Sequence, residues 1–132
     1  MKRSLQCIVL VLSLLPFSVG MLGLLRGVEF YIPLAAANPN LDSQFRFMSA
    51  WDIGLAAIIW WIVPQIGRQT ALFRIVSLAV FLGGVGRLAA WHFSGRPATV
   101  VLVVAAIELL VPLLIPWQAH VARVEAGETR TA

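Results

Sequence analysis

Four long apolar stretches, each interrupted by charged or helix-breaking residues, organise the 132-residue chain. A membrane-spanning helix needs about 20 mostly apolar residues. The pattern predicts such helices over about 5–25, 45–63, 72–93 and 98–117. Lys2 and Arg3 precede the first and Arg26 follows it; Pro64 closes the second. Pro16 inside the first predicts a kink. Between the first two, "VEFYIPLAAA" is too short to span and suits a short helix lying in the interface. "NPNLDSQF" then reads as a turn into the second helix, with Asp42 or Ser43 as its N-cap. The tail, residues 118–132, is polar and is expected to fray. The start of the chain also has the basic and apolar regions of a cleavable signal, with Ser18 and Gly20 at positions a peptidase accepts. The apolar run continues past Gly20 to Leu25, which suits a retained anchor better.

Composition turns this pattern into a class. The chain is 60% hydrophobic and 12% charged, with a mean hydropathy of +0.88. A soluble domain of this size cannot hide that much apolar surface. The expected fold is therefore all-α, an integral membrane four-helix bundle in a single domain. The formal charge of +4 comes with no basic cluster of the kind that binds nucleic acid. It fits the positive-inside bias instead. Lys2, Arg3, Arg68, Arg74, Arg123 and Arg130 would lie on one side, and Arg26, Arg46 and Arg96 on the other, a six-to-three asymmetry. That predicts both termini in the cytoplasm. Trp60, Trp61 and Trp117 then fall near the inner interface, and Trp51 and Trp91 near the outer one. A single cysteine, Cys7, excludes an intrachain disulfide and a cysteine-based metal site.

Three charges fall inside the apolar runs: Asp52, Arg87 and Glu108. By the rise of a helix, Arg87 lies ~22 Å along the third helix from Leu72, Asp52 ~10 Å down the second and Glu108 ~15 Å down the fourth. One charge at the bilayer centre costs roughly 2.5–3.5 kcal/mol. Pairing Arg87 with Glu108, Asp52 or both relieves much of this, so these residues should face the interior. Gly83 and Gly84 share the Arg87 face and would let helices approach, and Gly86 with Ala90 makes a second small-residue pair. Pro112 has no N–H, so the Glu108 carbonyl, four residues before it, should lose its helical partner. The arrangement is consistent with a salt bridge that sets helix register, with a site for a small polar or lipid head group, or with an ion path. Asp42 and Arg46 at the start of the second helix, and Trp91 one turn beyond Arg87, complete the candidate cluster. His92 and His120 are expected to be solvated.

"LDSQFRFMSAWDIGLA" (Leu41 to Ala56), "FLGGVGRLAA" (Phe81 to Ala90) and "IELLVPLL" (Ile107 to Leu114) resemble the domain-of-unknown-function 4345 family of small bacterial four-helix membrane proteins. The resemblance covers about Leu10 to Trp117 and rests on Asp42 to Arg46, on Gly86–Arg87 and on Glu108 before a proline. A tryptophan or small residue is usual in that family near position 52. Asp52 is thus a departure, and Glu108 becomes the favoured partner of Arg87. The family is distantly similar to DoxX-like proteins, some linked to quinone-dependent oxidation. The resemblance implies a multi-pass protein of the bacterial inner membrane and supplies no activity. Neither a heme-ligating histidine pair, nor a nucleophile with a base, nor a metal cluster is visible, and no cofactor is expected. The favoured function is a non-enzymatic accessory or a small lipid- or quinone-binding module, with Arg87, Glu108, Asp52, Arg46, Asp42 and Trp91 as the cluster. The alternative is a subunit of a small oligomeric transporter or channel, although the inner halves of the helices offer almost no polar path. Implied partners are the bilayer, a second copy or another membrane protein, and a lipid or quinone.

Overall fold

The computed structural model describes residues 1–32 and 38–128. Its helices are α1 (Lys2–Arg26), α2 (Pro39–Ile62), α3 (Thr70–Ser94), α4 (Thr99–Leu110) and α5 (Leu114–Glu128), with single 3-10 turns at Gly27–Phe30, Val63–Gln65 and Val111–Leu113. No strand occurs among the described residues. Among the described residues, four helical stretches are long and apolar enough to cross a membrane: Lys2–Phe30, Pro39–Gln65, Thr70–Ser94 and Thr99–Gly127. The all-helical class with four spans is thus met. Large apolar side chains such as Trp61, Leu82 and Leu113 remain exposed on the helices, as expected where lipid is the solvent.

Local chemistry explains where the helices differ from expectation. α2 begins at Pro39, not near Phe45, because Asn38 is its cap: the Asn38 side-chain oxygen accepts from the Leu41 N–H at 2.8 Å. Pro39 at the first helical position sacrifices only an N–H that has no helical partner anyway. The cap predicted at Asp42 or Ser43 is therefore corrected to Asn38. α3 ends at Gly95, whose φ of 93° suits a residue without a Cβ and whose N–H returns to the Trp91 carbonyl at 3.1 Å. Pro16 is accommodated within α1. The segment after Arg26 begins as a 3-10 turn, and residues 33–37 of the expected interfacial helix lie outside the described residues.

The fourth span is two helices. Pro112 interrupts it at Val111–Leu113, but the chain tightens into a 3-10 turn there. The Val111 N–H thereby reaches the carbonyls of both Glu108 and Ile107. The Glu108 carbonyl is thus not freed, which corrects the expectation drawn from Pro112. The fraying expected over 118–132 is corrected for residues 118–128, while 129–132 lie outside the described residues. α5 runs on to Glu128, with Gln118 and Val121 buried. A helix this far into a polar sequence persists because one face is packed.

The chain divides into two compact units, one of residues 6–64 and one of residues 1–5 with 65 onward. In the first, α1 packs closely on α2. A Cβ added at Gly20 would lie 2.7 Å from the Ser49 carbonyl oxygen and 2.9 Å from Ile53 Cγ1. Trp60 donates from Nε1 to Ser13 Oγ at 2.8 Å and packs on Phe17 with ring centroids 5.0 Å apart. Gln6 donates to the Val63 carbonyl at 2.8 Å, satisfying an acceptor at the end of α2. In the second unit, α3 packs on α4 and α5.

Candidate functional site

The α3–α4 seam is built around one glycine. A Cβ at Gly84 would fall 3.1 Å from Glu108 Cβ, 3.1 Å from Leu109 Cγ and 3.2 Å from the Ala105 carbonyl oxygen. Gly84 and Ala105 are both buried. The missing side chain lets the two helices close to a distance at which Glu108 reaches Arg87. Arg87 donates from Nε to Glu108 Oε2 at 2.9 Å. Gly83 plays a looser part, since its Cβ would sit 3.8 Å from Glu108 Oε2, an ordinary contact. At Gly86 nothing lies within 4 Å.

The pair forms, but the chain does not seal it. Its side chains keep 38% and 18% exposure, so the expected buried cluster is corrected to a half-covered one. The seam explains this. On α3 only Phe73, Ser77 and Gly84 are buried and on α4 only Ala105, and the α3 flank bearing Gly83, Gly86 and Ala90 is open. Trp91 stands one helical turn beyond Arg87 and is exposed as well. The hydrogen bond uses Nε alone. The terminal nitrogens of Arg87 find no further hydrogen-bond partner among the described residues.

The other candidate residues belong to the α1–α2 unit. Asp42 accepts from the Val28 N–H at 2.9 Å and from Arg46 Nε at 2.8 Å. Arg46 in turn donates through Nη1 to the carbonyls of Leu24 and Leu25, in the last turn of α1. Those carbonyls are among the acceptors that a helix end leaves without partners. Gly27 makes this corner possible. Its φ is 68°, and a Cβ there would land on the Asp42 carboxylate. Asp42 and Arg46 are thus a corner clamp. Asp52 lies against α1, its Cβ 3.0 Å from where a Gly20 Cβ would be. His92 and His120 are exposed.

A third polar group was not anticipated. Gln118, fully buried, donates from Nε2 to the Ile66 carbonyl at 2.7 Å and to Thr70 Oγ1 at 2.9 Å, fastening α5 to the start of α3. Its Oε1 and the Trp117 Nε1 are buried without a hydrogen-bond partner among the described residues. Nearby in sequence, Glu125 pairs with Lys2 at 2.6 Å. A glutamine at the very end of an apolar run was the available signal, and the expectation of fraying hid it. Among the described residues, no three histidine, cysteine, aspartate or glutamate side chains gather as a metal site would require.

The model of a family described as a domain of unknown function (DUF4345) matches residues 4–118. No curated protein and no solved structure matches.

Proposed function

The chain belongs to the DUF4345 family, and from that premise we propose that it is a non-enzymatic, multi-pass inner-membrane protein that binds a small lipid-soluble molecule, a lipid or a quinone, through Arg87 and Glu108. Membership and the four apolar helices establish a membrane protein of unknown function. The finer reading rests on one observation: the Arg87–Glu108 pair is 38% and 18% exposed although it belongs to membrane-spanning helices. Arg87 is seven residues from the end of α3, or ~10 Å along it, and Glu108 nine residues into α4, or ~14 Å. At such depth no bulk water completes the hydrogen bonding of an open ion pair. A polar head group lying against the pair does. Asp42, Arg46 and Asp52 belong to the other unit and take no part in this reading, Asp42 and Arg46 being occupied in the corner clamp; Trp91 is its supporting member.

The orientation places both termini in the cytoplasm, supported by the six-to-three distribution of basic residues. Reporter fusions at Arg68 and at the C-terminus should both read cytoplasmic, and an external C-terminus would overturn this topology.

Native mass spectrometry of the purified chain tests the ligand reading. The wild type should retain a lipid or quinone that the double variant Arg87→Leu with Glu108→Leu releases. Equal retention by both would overturn it. A stoichiometric oligomer carrying no small molecule would point instead to a transporter or channel subunit, with the pair covered by another copy.

A further inference from the structure

We infer that the Arg87–Glu108 site selects a neutral hydrogen-bond acceptor, the carbonyl of a lipid-soluble compound, over an anionic head group, and that Glu108 sets this selectivity. The inference rests on the reading of the pair as a ligand site and narrows what that site takes. A guanidinium is a planar fork of five donors that never loses its charge. In this chain one of those donors, on Nε, is committed to Glu108 Oε2 at 2.9 Å. The donors on the terminal nitrogens remain for an incoming acceptor. An unaccompanied arginine would favour phosphate, which matches its fork and its charge. Arg87 is accompanied. The pair carries no net charge, and any group bonded to the terminal nitrogens lies within a few ångströms of the carboxylate.

The sign of the incoming charge then decides the outcome. Two like charges a few ångströms apart repel weakly in bulk water but strongly where the effective dielectric is low. Membrane depth removes the water that would screen a phosphate from Glu108. A carbonyl oxygen accepts from the same donors with no such penalty. The surroundings suit a compact, flat head. Nothing lies within 4 Å of a Cβ at Gly86, and one at Gly83 touches only the Glu108 carboxylate. The flank of α3 beside the pair is therefore bare backbone. Trp91, 42% exposed, lies one turn beyond Arg87 on the same helix. Two sources supply this chemistry within a bilayer: the ester carbonyl of a neutral glycerolipid and the ring carbonyl of a quinone.

The test uses the full chain in phosphatidylcholine nanodiscs doped with equal amounts of a diacylglycerol, decyl-benzoquinone and phosphatidylglycerol, read by native mass spectrometry. The wild type should retain a neutral probe over phosphatidylglycerol by on the order of tenfold. Whichever neutral probe is held names the source. Glu108→Gln keeps an acceptor for the Arg87 Nε, and it should shift retention toward phosphatidylglycerol by a similar factor. Arg87→Gln should lose the bound probe. Should Glu108→Gln fail to fold, the wild-type ratio alone decides. Preferential retention of phosphatidylglycerol by the wild type would overturn the inference and leave the ligand site standing. Retention of nothing, or retention that Arg87→Gln leaves unchanged, would overturn both.

Discussion

Two arginine–carboxylate pairs among the described residues share chemistry and differ in what surrounds them. Asp42 and Arg46 are four residues apart on one helix, and every strong partner they have beyond each other is backbone: the Val28 N–H and the carbonyls of Leu24 and Leu25. Arg87 and Glu108 are 21 residues apart on two helices and meet through a single side-chain bond. The first pair is spent on chain geometry, closing a helix end and a turn. The second holds two helices together and keeps donors in reserve. The contrast teaches that a charge in an apolar protein is best read by its remaining hydrogen-bonding capacity, because residue type and pairing alone would treat the two arginines alike.

The most severe way to break the contrast is at the corner's backbone. Gly27→Val forces a β-branched residue to φ near 68° and drives its side chain into the Asp42 carboxylate. Left-handed strain and overpacking together should cost about 2–4 kcal/mol in thermal unfolding in detergent. A loss below ~0.5 kcal/mol would mean that the corner is not clamped.

Next in size is Glu108→Leu, which strands a guanidinium that keeps its charge in any environment. It should destabilise by about 1–3 kcal/mol in thermal unfolding in detergent. Adding Arg87→Leu should recover much of that loss, whereas strict additivity would mean the two residues are not coupled.

Asn38→Ala removes the α2 cap and should cost about 1 kcal/mol by the same melting measurement. No change there would return the capping role to Asp42 or Ser43.

The smallest effect sharpens the comparison between glycines. Gly83→Ala adds a methyl at ordinary contact distance, 3.8 Å from Glu108 Oε2, and should shift stability by less than ~0.5 kcal/mol. A larger loss would show that Gly83 bears on the seam as Gly84 does.

Much of this was legible before any coordinates. Hydropathy reports spans directly, since each needs a long apolar run. The partnership of Arg87 with Glu108 followed from charge neutralisation, and the role of Gly84 from its spacing to Arg87. What escaped was decided by competition between near neighbours. Asn38, Asp42 and Ser43 all suit a cap; Pro39, fixed in a helical φ, settles it for the residue before. Pro112 signals a lost hydrogen bond, but not that a 3-10 turn would let Val111 supply the replacement to Glu108. Burial of the pair was overestimated because periodicity tells which residues share a face, and not how wide a seam the opposing helix covers. Gln118 was hidden because its partners, Ile66 and Thr70, lie some fifty positions away.

The 3-10 turn at Val111–Leu113 divides the fourth span into two stretches anchored by different means, α4 by the glycine seam and α5 by the Gln118 amide. Two prolines, Pro112 and Pro116, remove amide hydrogens from the same short region. In the language of hydrogen exchange, this span should behave as two cooperative opening units rather than one. A ligand at the site proposed on Arg87 and Glu108 would then slow exchange in α4 while leaving α5 to open at its own rate. A change in amide protection that stops at Pro112 is the dynamic fingerprint of that break.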